Sequence, residues 1–125
     1  MTVLIDSWTW IEYFKGSKSG EQARKIIEDS EERAVISSVN VAEVYGWILK
    51  YYDEGVAEEK RAAMRERAFV CDVDEEIAVE AARMRRQKKW GLGDAIVFAT
   101  AKKSEAVIVT GDPHFRNTGN VIFLG

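Results

Sequence analysis

The sequence predicts an α/β domain: a three-layer α/β/α sandwich around a central, mostly parallel sheet of about five strands. Three observations carry that prediction. Short, continuously apolar runs recur along the chain, as strands buried on both faces require. Helix-period segments separate them, so strand and helix alternate. The chain's 125 residues make one domain, 1–125, able to bury roughly two-thirds of its unfolded surface.

Each element has its own signature in the sequence. Val3-Leu4-Ile5 reads as the first buried strand, and Trp8–Lys15 as a short helix stopped by Gly16. Glu21–Asp29 places Ala23, Ile26 and Ile27 at helical spacing, and Ala34–Ser37 is a second apolar strand. From Asn40 to about Tyr52 the residues Val41, Val44, Tyr45, Ile48 and Leu49 line one helix face. Ala57–Arg67 is a charged, alanine-rich helix, followed by a third strand over Ala68–Val73. A helix runs from Asp74 or Glu75 to about Lys89, and an apolar one over Asp94–Ser104. Ala106–Val109 and Val121–Leu124 are the fourth and fifth strands.

Composition narrows the function classes. A net charge of −3 argues against nucleic-acid binding through bulk charge, though not against a local basic stripe. No apolar run approaches the ~20 residues of a membrane span. The N-terminus lacks the basic and small-residue features of a signal peptide, so the chain is expected to be cytoplasmic. The single cysteine, Cys71, excludes an intrachain disulfide and reads as a buried core thiol. The aromatics Trp8, Trp10, Phe14, Trp47 and Tyr51 are expected to divide between core and a partner surface.

In an open parallel sheet, helices start at the carboxyl edge of the strands, and ligands collect there. Asp6 directly follows the first strand, and Asp112 follows the fourth with Thr110-Gly111 between. Glu43 lies in the first turn of the helix after the second strand, and Asp94 opens the helix that feeds the fourth. Each acid has a purely local use. Asn40-x-x-Glu43 matches a capping box, Asp6 and Asp94 suit N-caps, and Asp112 suits an Asx turn through Pro113. Capping does not require four acids to share one edge, however. Close carboxylates repel unless a cation neutralises them, and an all-oxygen set suits Mg²⁺ or Mn²⁺ rather than Zn²⁺. In T-G-D-P-H-F (110–115) the chemistry is expected to belong to Asp112, with Pro113 setting the turn and His114 a loop residue outside the site.

Three segments, V-L-I-D-S-W-T-W-I-E-Y-F (3–14), I-S-S-V-N-V-A-E-V-Y (36–45) and G-L-G-D-A-I-V-F-A-T-A continuing to V-I-V-T-G-D-P-H-F (91–115), resemble in order and spacing the PIN domains. More narrowly, they resemble the VapC-type toxins of toxin–antitoxin pairs. The chain departs from that pattern at Trp8, where many relatives carry a small polar residue. The resemblance implies Mg²⁺- or Mn²⁺-dependent RNA cleavage, with Asp6, Glu43, Asp94 and Asp112 as the acids. On that reading Asp6 and Asp94 are metal ligands, Asp112 completes the site, and Glu43 is a ligand or orients the attacking water. Ser7 and Thr110 support the carboxylates or the phosphate by hydrogen bonds. The resemblance also implies a homodimer and an antitoxin protein lying across the active-site groove.

An RNA substrate needs cations near so acidic a site. Arg83, Arg85, Arg86, Lys88 and Lys89 in R-M-R-R-Q-K-K-W (83–90) are the candidates, with Trp90 a candidate for base stacking. The same cations would also suit a helix C-terminus. A phosphoreceiver domain is disfavoured, because paired acids after the first strand and a late lysine are missing. A phosphatase of the haloacid dehalogenase type would need D-x-D, and Trp8 stands two residues after Asp6. The alternatives that remain are a non-catalytic PIN-like RNA- or protein-binding domain and a PIN nuclease of RNA processing.

Overall fold

The apolar runs pair into a single sheet. In the computed structural model, which describes residues 1–125, the strands are β1 (Thr2–Ile5), β2 (Arg33–Ser37), β3 (Phe69–Cys71), β4 (Ala106–Thr110) and β5 (Val121–Phe123). They lie in the order β3-β2-β1-β4-β5, and every pairing is parallel, with Val3 opposite Ala34 and Val107. The helices are α1 (Ser7–Lys15), α2 (Lys18–Glu28), α3 (Ser38–Tyr51), α4 (Glu54–Arg67), α5 (Glu75–Gln87) and α6 (Leu92–Lys103), with a 3-10 turn at Pro113–Phe115. The three-layer α/β/α architecture expected from the sequence is the one observed.

Alternation along the strands divides the core in two. Val3, Ile5, Ala34, Ile36 and Val109 face α1–α4, where Trp10 and Met64 are buried. Leu4, Val35, Ala106 and Ile108 face α5 and α6, where Trp90 and Phe115 complete the cluster. Arg67, at the end of α4, donates to the carbonyls of Ile26, Ile27, Ser30 and Glu32. One guanidinium thus satisfies the C-terminus of α2 and the loop that leads into β2.

Several elements differ from expectation. Helix α3 begins at Ser38 rather than Asn40. Its capping box is Ser37 with Asn40, so Glu43 is not used as a cap. Helix α5 does not run from the carboxyl edge back to the amino edge. Lys103–Asp74 (2.7 Å) and Lys102–Glu80 (3.1 Å) tie the last turn of α6 to the first half of α5. The two helices are therefore antiparallel neighbours, and the C-terminus of α5 meets the N-terminus of α6 at the carboxyl edge. Cys71 is half-buried rather than a core thiol, because β3 is an edge strand, and its Sγ lies 3.8 Å from Ser104 Oγ. The aromatics divide as expected of core and surface: Trp10 is fully buried, Trp8, Phe14 and Trp47 are partly buried, and Tyr51 and Tyr52 are exposed. No helix is long and apolar enough to cross a membrane.

Candidate active site

Strand ends and helix starts bring the acids to one edge. Asp6 leaves β1 with its amide donating to the Val109 carbonyl of β4 (3.1 Å), so the two strand exits are held together. Thr9 Oγ1 donates to the same carbonyl (2.8 Å). Asp6 occupies the N-cap position of α1, yet its side chain accepts no capping bond. Its carboxylate is used instead within the site. Thr110 Oγ1 donates to Asp6 Oδ2 (2.8 Å), and Asn40 Nδ2 donates to Asp6 Oδ1 (3.3 Å).

The network continues to both sides. Asn40 Nδ2 also donates to Ser7 Oγ (2.9 Å), and Ser7 Oγ donates to Glu43 Oε1 (2.6 Å). On the other side the Asp112 amide donates to Thr110 Oγ1 (3.0 Å). Asn40 and Ser7 therefore join Asp6 to Glu43, and Thr110 joins it to the Asp112 backbone. Glu43 also lies against the first turn of α6, where a Cβ on Gly93 would stand 3.2 Å from Glu43 Oε2. Asp94 is the third residue of that helix. Gly91 is the N-cap, so Asp94 is not the cap that the sequence suggested. Asp112 does make the expected Asx-type bond, accepting from the His114 amide (2.9 Å).

The electrostatics follow from this crowding. Burial pushes the Asp6 carboxyl up to about 6, and the charges of Glu43 and Asp112 add to the rise while bonds from Thr110 and the Ser7 amide oppose it. Burial, then the charge of Asp112, also raises the pKa of Asp94, against the opposing pull of His114. A cation placed among carboxylates so close together would offset their repulsion.

His114 is where the geometry departs most from the sequence reading. It is exposed, as expected of a loop residue, but it does not stand apart from the acids. Its Nδ1 lies 2.9 Å from Asp94 Oδ2 and 3.1 Å from Asp112 Oδ1. One ligand atom each from Asp94, Asp112 and His114 falls within 4.8 Å of the others. Asp6 and Glu43 stand outside this trio, linked to it through Thr110 and the Gly93 turn.

Two further residues escaped the sequence reading. Asn40 is fully buried and bonds two site residues as well as capping α3. Its signal was the pair Ser37-x-x-Asn40, a capping pattern one turn earlier than the one chosen. Gly111 has no room for a side chain, since a Cβ there would come within 2.4 Å of the Trp8 ring and 2.6 Å of the Leu124 carbonyl oxygen. The unusual Trp8 thus lies across the exit of β4, next to Asp112. Trp90, by contrast, is withdrawn from any stacking role. It is 9% exposed and packed against Phe98 and Phe115 at centroid distances of 5.1 and 5.5 Å. Arg83, Arg85, Arg86, Lys88 and Lys89 remain exposed at the end of α5. Arg83 pairs loosely with Glu80 (3.6 Å), and Arg85 Nε donates to the Trp90 carbonyl (3.4 Å).

The family model described as PIN domain matches residues 3–121, nearly the whole of this edge and the sheet behind it. The chain belongs to the PIN domain family. Among solved structures it resembles a toxin–antitoxin complex from Klebsiella pneumoniae, with a TM-score of 0.80 at 26% identity, covering 96% of this PIN domain and 95% of that chain. Mycobacterium tuberculosis VapC20, described as a Sarcin-Ricin loop cleaving toxin, aligns at a TM-score of 0.77 and 16% identity over 98% of this chain and 99% of its own. VapBC2 from Rickettsia felis, bound to a DNA fragment from its promoter, aligns at 0.75 and 17% identity over 98% and 97%. No curated protein matches the chain in sequence.

Proposed function

We propose that this PIN domain is a divalent-metal-dependent ribonuclease and the toxin of a VapBC-type toxin–antitoxin pair. The observation that carries the reading is the hydrogen-bonded network that joins Asp6, Glu43 and Asp112 at the carboxyl edge, with Asp94 tied to Asp112 through His114 and no lysine or arginine among the four acids. The donor set fits Mg²⁺ or Mn²⁺: carboxylates from separate elements, with burial and the charges of Glu43 and Asp112 raising the proton affinity of Asp6 and Asp94. Asp94 and Asp112 would hold the ion, with Asp6 and Glu43 beside it. When bound, such an ion lowers the pKa of water and polarises a phosphodiester for in-line hydrolysis.

The chain's own residues do the rest. Thr110 and Asn40 fix the Asp6 carboxylate by two hydrogen bonds, so its orientation does not depend on the ligand. Ser7 holds Glu43 at the opening, where its exposed carboxylate can orient an attacking water. Arg85, Arg86, Lys88 and Lys89, beside the first turn of α6, would draw the RNA backbone toward an otherwise negative site. The Klebsiella and VapC20 likenesses support a toxin with an antitoxin partner and an RNA substrate. A homodimer, sited in the cytoplasm, completes the proposal.

Sequencing the fragments of an RNA pool tests it. Incubation with Mg²⁺ or Mn²⁺ should yield discrete cuts that vanish with EDTA and in Asp6→Ala. Intact RNA under every condition would refute the nuclease reading.

A further inference from the structure

Resting on that reading of the site, we propose that His114 is a direct metal ligand of this chain, and that its imidazole biases the centre toward Mn²⁺ over Mg²⁺. Three features place it. Nδ1 is 2.9 Å from Asp94 Oδ2 and 3.1 Å from Asp112 Oδ1, so an imidazole nitrogen and one oxygen from each carboxylate lie within 4.8 Å of one another, close enough to share one ion. The residue is also held in position. Its amide donates to Asp112 Oδ1 (2.9 Å), Pro113 starts the 3-10 turn, and Phe115 at the end of that turn is 0% exposed, against Trp90. A turn pinned at both ends presents the ring to Asp94 from a rigid base, as a ligand requires.

The third feature is donor chemistry. Mg²⁺ prefers oxygen and retains water, whereas imidazole is a common ligand of transition metals, and Mn²⁺ accepts both. Two carboxylates and one imidazole therefore discriminate between the two ions where four carboxylates alone would not. The turn Gly111–Phe115 then supplies two ligands, Asp112 and His114, on either side of its single proline.

His114 is the chain's only histidine, which makes a spectroscopic test decisive. Pulsed EPR of the Mn²⁺-loaded protein, free of any histidine tag, should show the ¹⁴N modulation of a bound imidazole. Labelling with ¹⁵N-histidine should change that modulation, and His114→Gln should abolish it. The side chain is 62% exposed, so the variant should fold. By calorimetry, His114→Gln should weaken Mn²⁺ binding about tenfold or more, the scale of losing a group that shapes a metal site, and Mg²⁺ binding by much less. Mn²⁺ bound without nitrogen modulation, or equal losses for both ions, would overturn the ligand assignment and leave the nuclease reading standing. Failure of Mn²⁺ to bind either protein would overturn both.

Discussion

Replacing Asp6 by Asn should make the metal-free protein more stable, which few buried polar substitutions do. Asp6 is 5% exposed and its carboxyl is pushed from an ordinary 3.8 up to about 6, first by burial. Because the folded value lies above the unfolded one, the carboxylate opposes folding when ionised. The penalty is absent below about pH 4, grows as pH rises through 6, and is constant above. The displacement corresponds to ~3 kcal/mol at pH 7.5. Asn removes that charge and keeps an oxygen for the Asn40 amide, but turns an NH₂ toward the Thr110 hydroxyl, which now donates to Asp6. Losing that acceptor costs about 1–2 kcal/mol. The net expectation is about 1–2 kcal/mol of stabilisation, or roughly 4–8 °C in Tm for a chain of this size. Thermal melts followed by circular dichroism in EDTA at pH 7.5 and at pH 4 read it directly. The gain should be present at pH 7.5 and gone at pH 4. Mn²⁺ should stabilise the wild type more than the variant. Equal or lower stability of Asp6→Asn at pH 7.5 would show that the acids do not burden the fold.

Other consequences lie away from the acids. Arg67→Ala leaves four carbonyl acceptors without their donor, and should cost about 2–3 kcal/mol in urea denaturation with Mn²⁺ affinity unchanged. Gly111→Ala should destabilise by about 1–3 kcal/mol. Adding Trp8→Ala should restore only part of that loss, because the Leu124 carbonyl still blocks the new methyl. Charge removal at Arg85, Arg86, Lys88 and Lys89 should weaken RNA binding and flatten its salt dependence, by about 0.7 in log–log slope for each lost phosphate contact. An unchanged slope in a filter-binding titration would exclude the stripe from the RNA path.

The sheet and the four acids were legible because both depend on local patterns and parallel topology. The apolar runs of β1, β2 and β4 have no reading other than buried segments, and acids within two residues of a strand's end, such as Asp6 after β1 and Asp112 after β4, must fall at the carboxyl edge. What escaped depended on long-range neighbours. Trp90 follows a run of cations and reads as exposed, but Phe98 and Phe115 arrive from later segments to cover it. Cys71 reads as core because its strand is apolar, and only the strand order makes β3 an edge. The direction of α5 is set by its packing against α6, which no periodicity encodes. The start of α3 moved by two residues because Ser37 and Asn40 both suit an N-cap, and Asn40 is instead drawn into bonds with Asp6 and Ser7. His114 reads as a loop residue because a single histidine carries no pattern. Its place beside Asp94 comes from a three-residue turn anchored by Phe115.

The central claim is that these acids serve chemistry rather than capping, and Asp94→Asn tests it most directly. RNA binding and RNA cleavage would be measured side by side in Mn²⁺. Binding within about threefold of wild type, with cleavage reduced by about a hundredfold or more, is the expected result for loss of a metal-holding carboxylate. Full cleavage by Asp94→Asn would contradict the account.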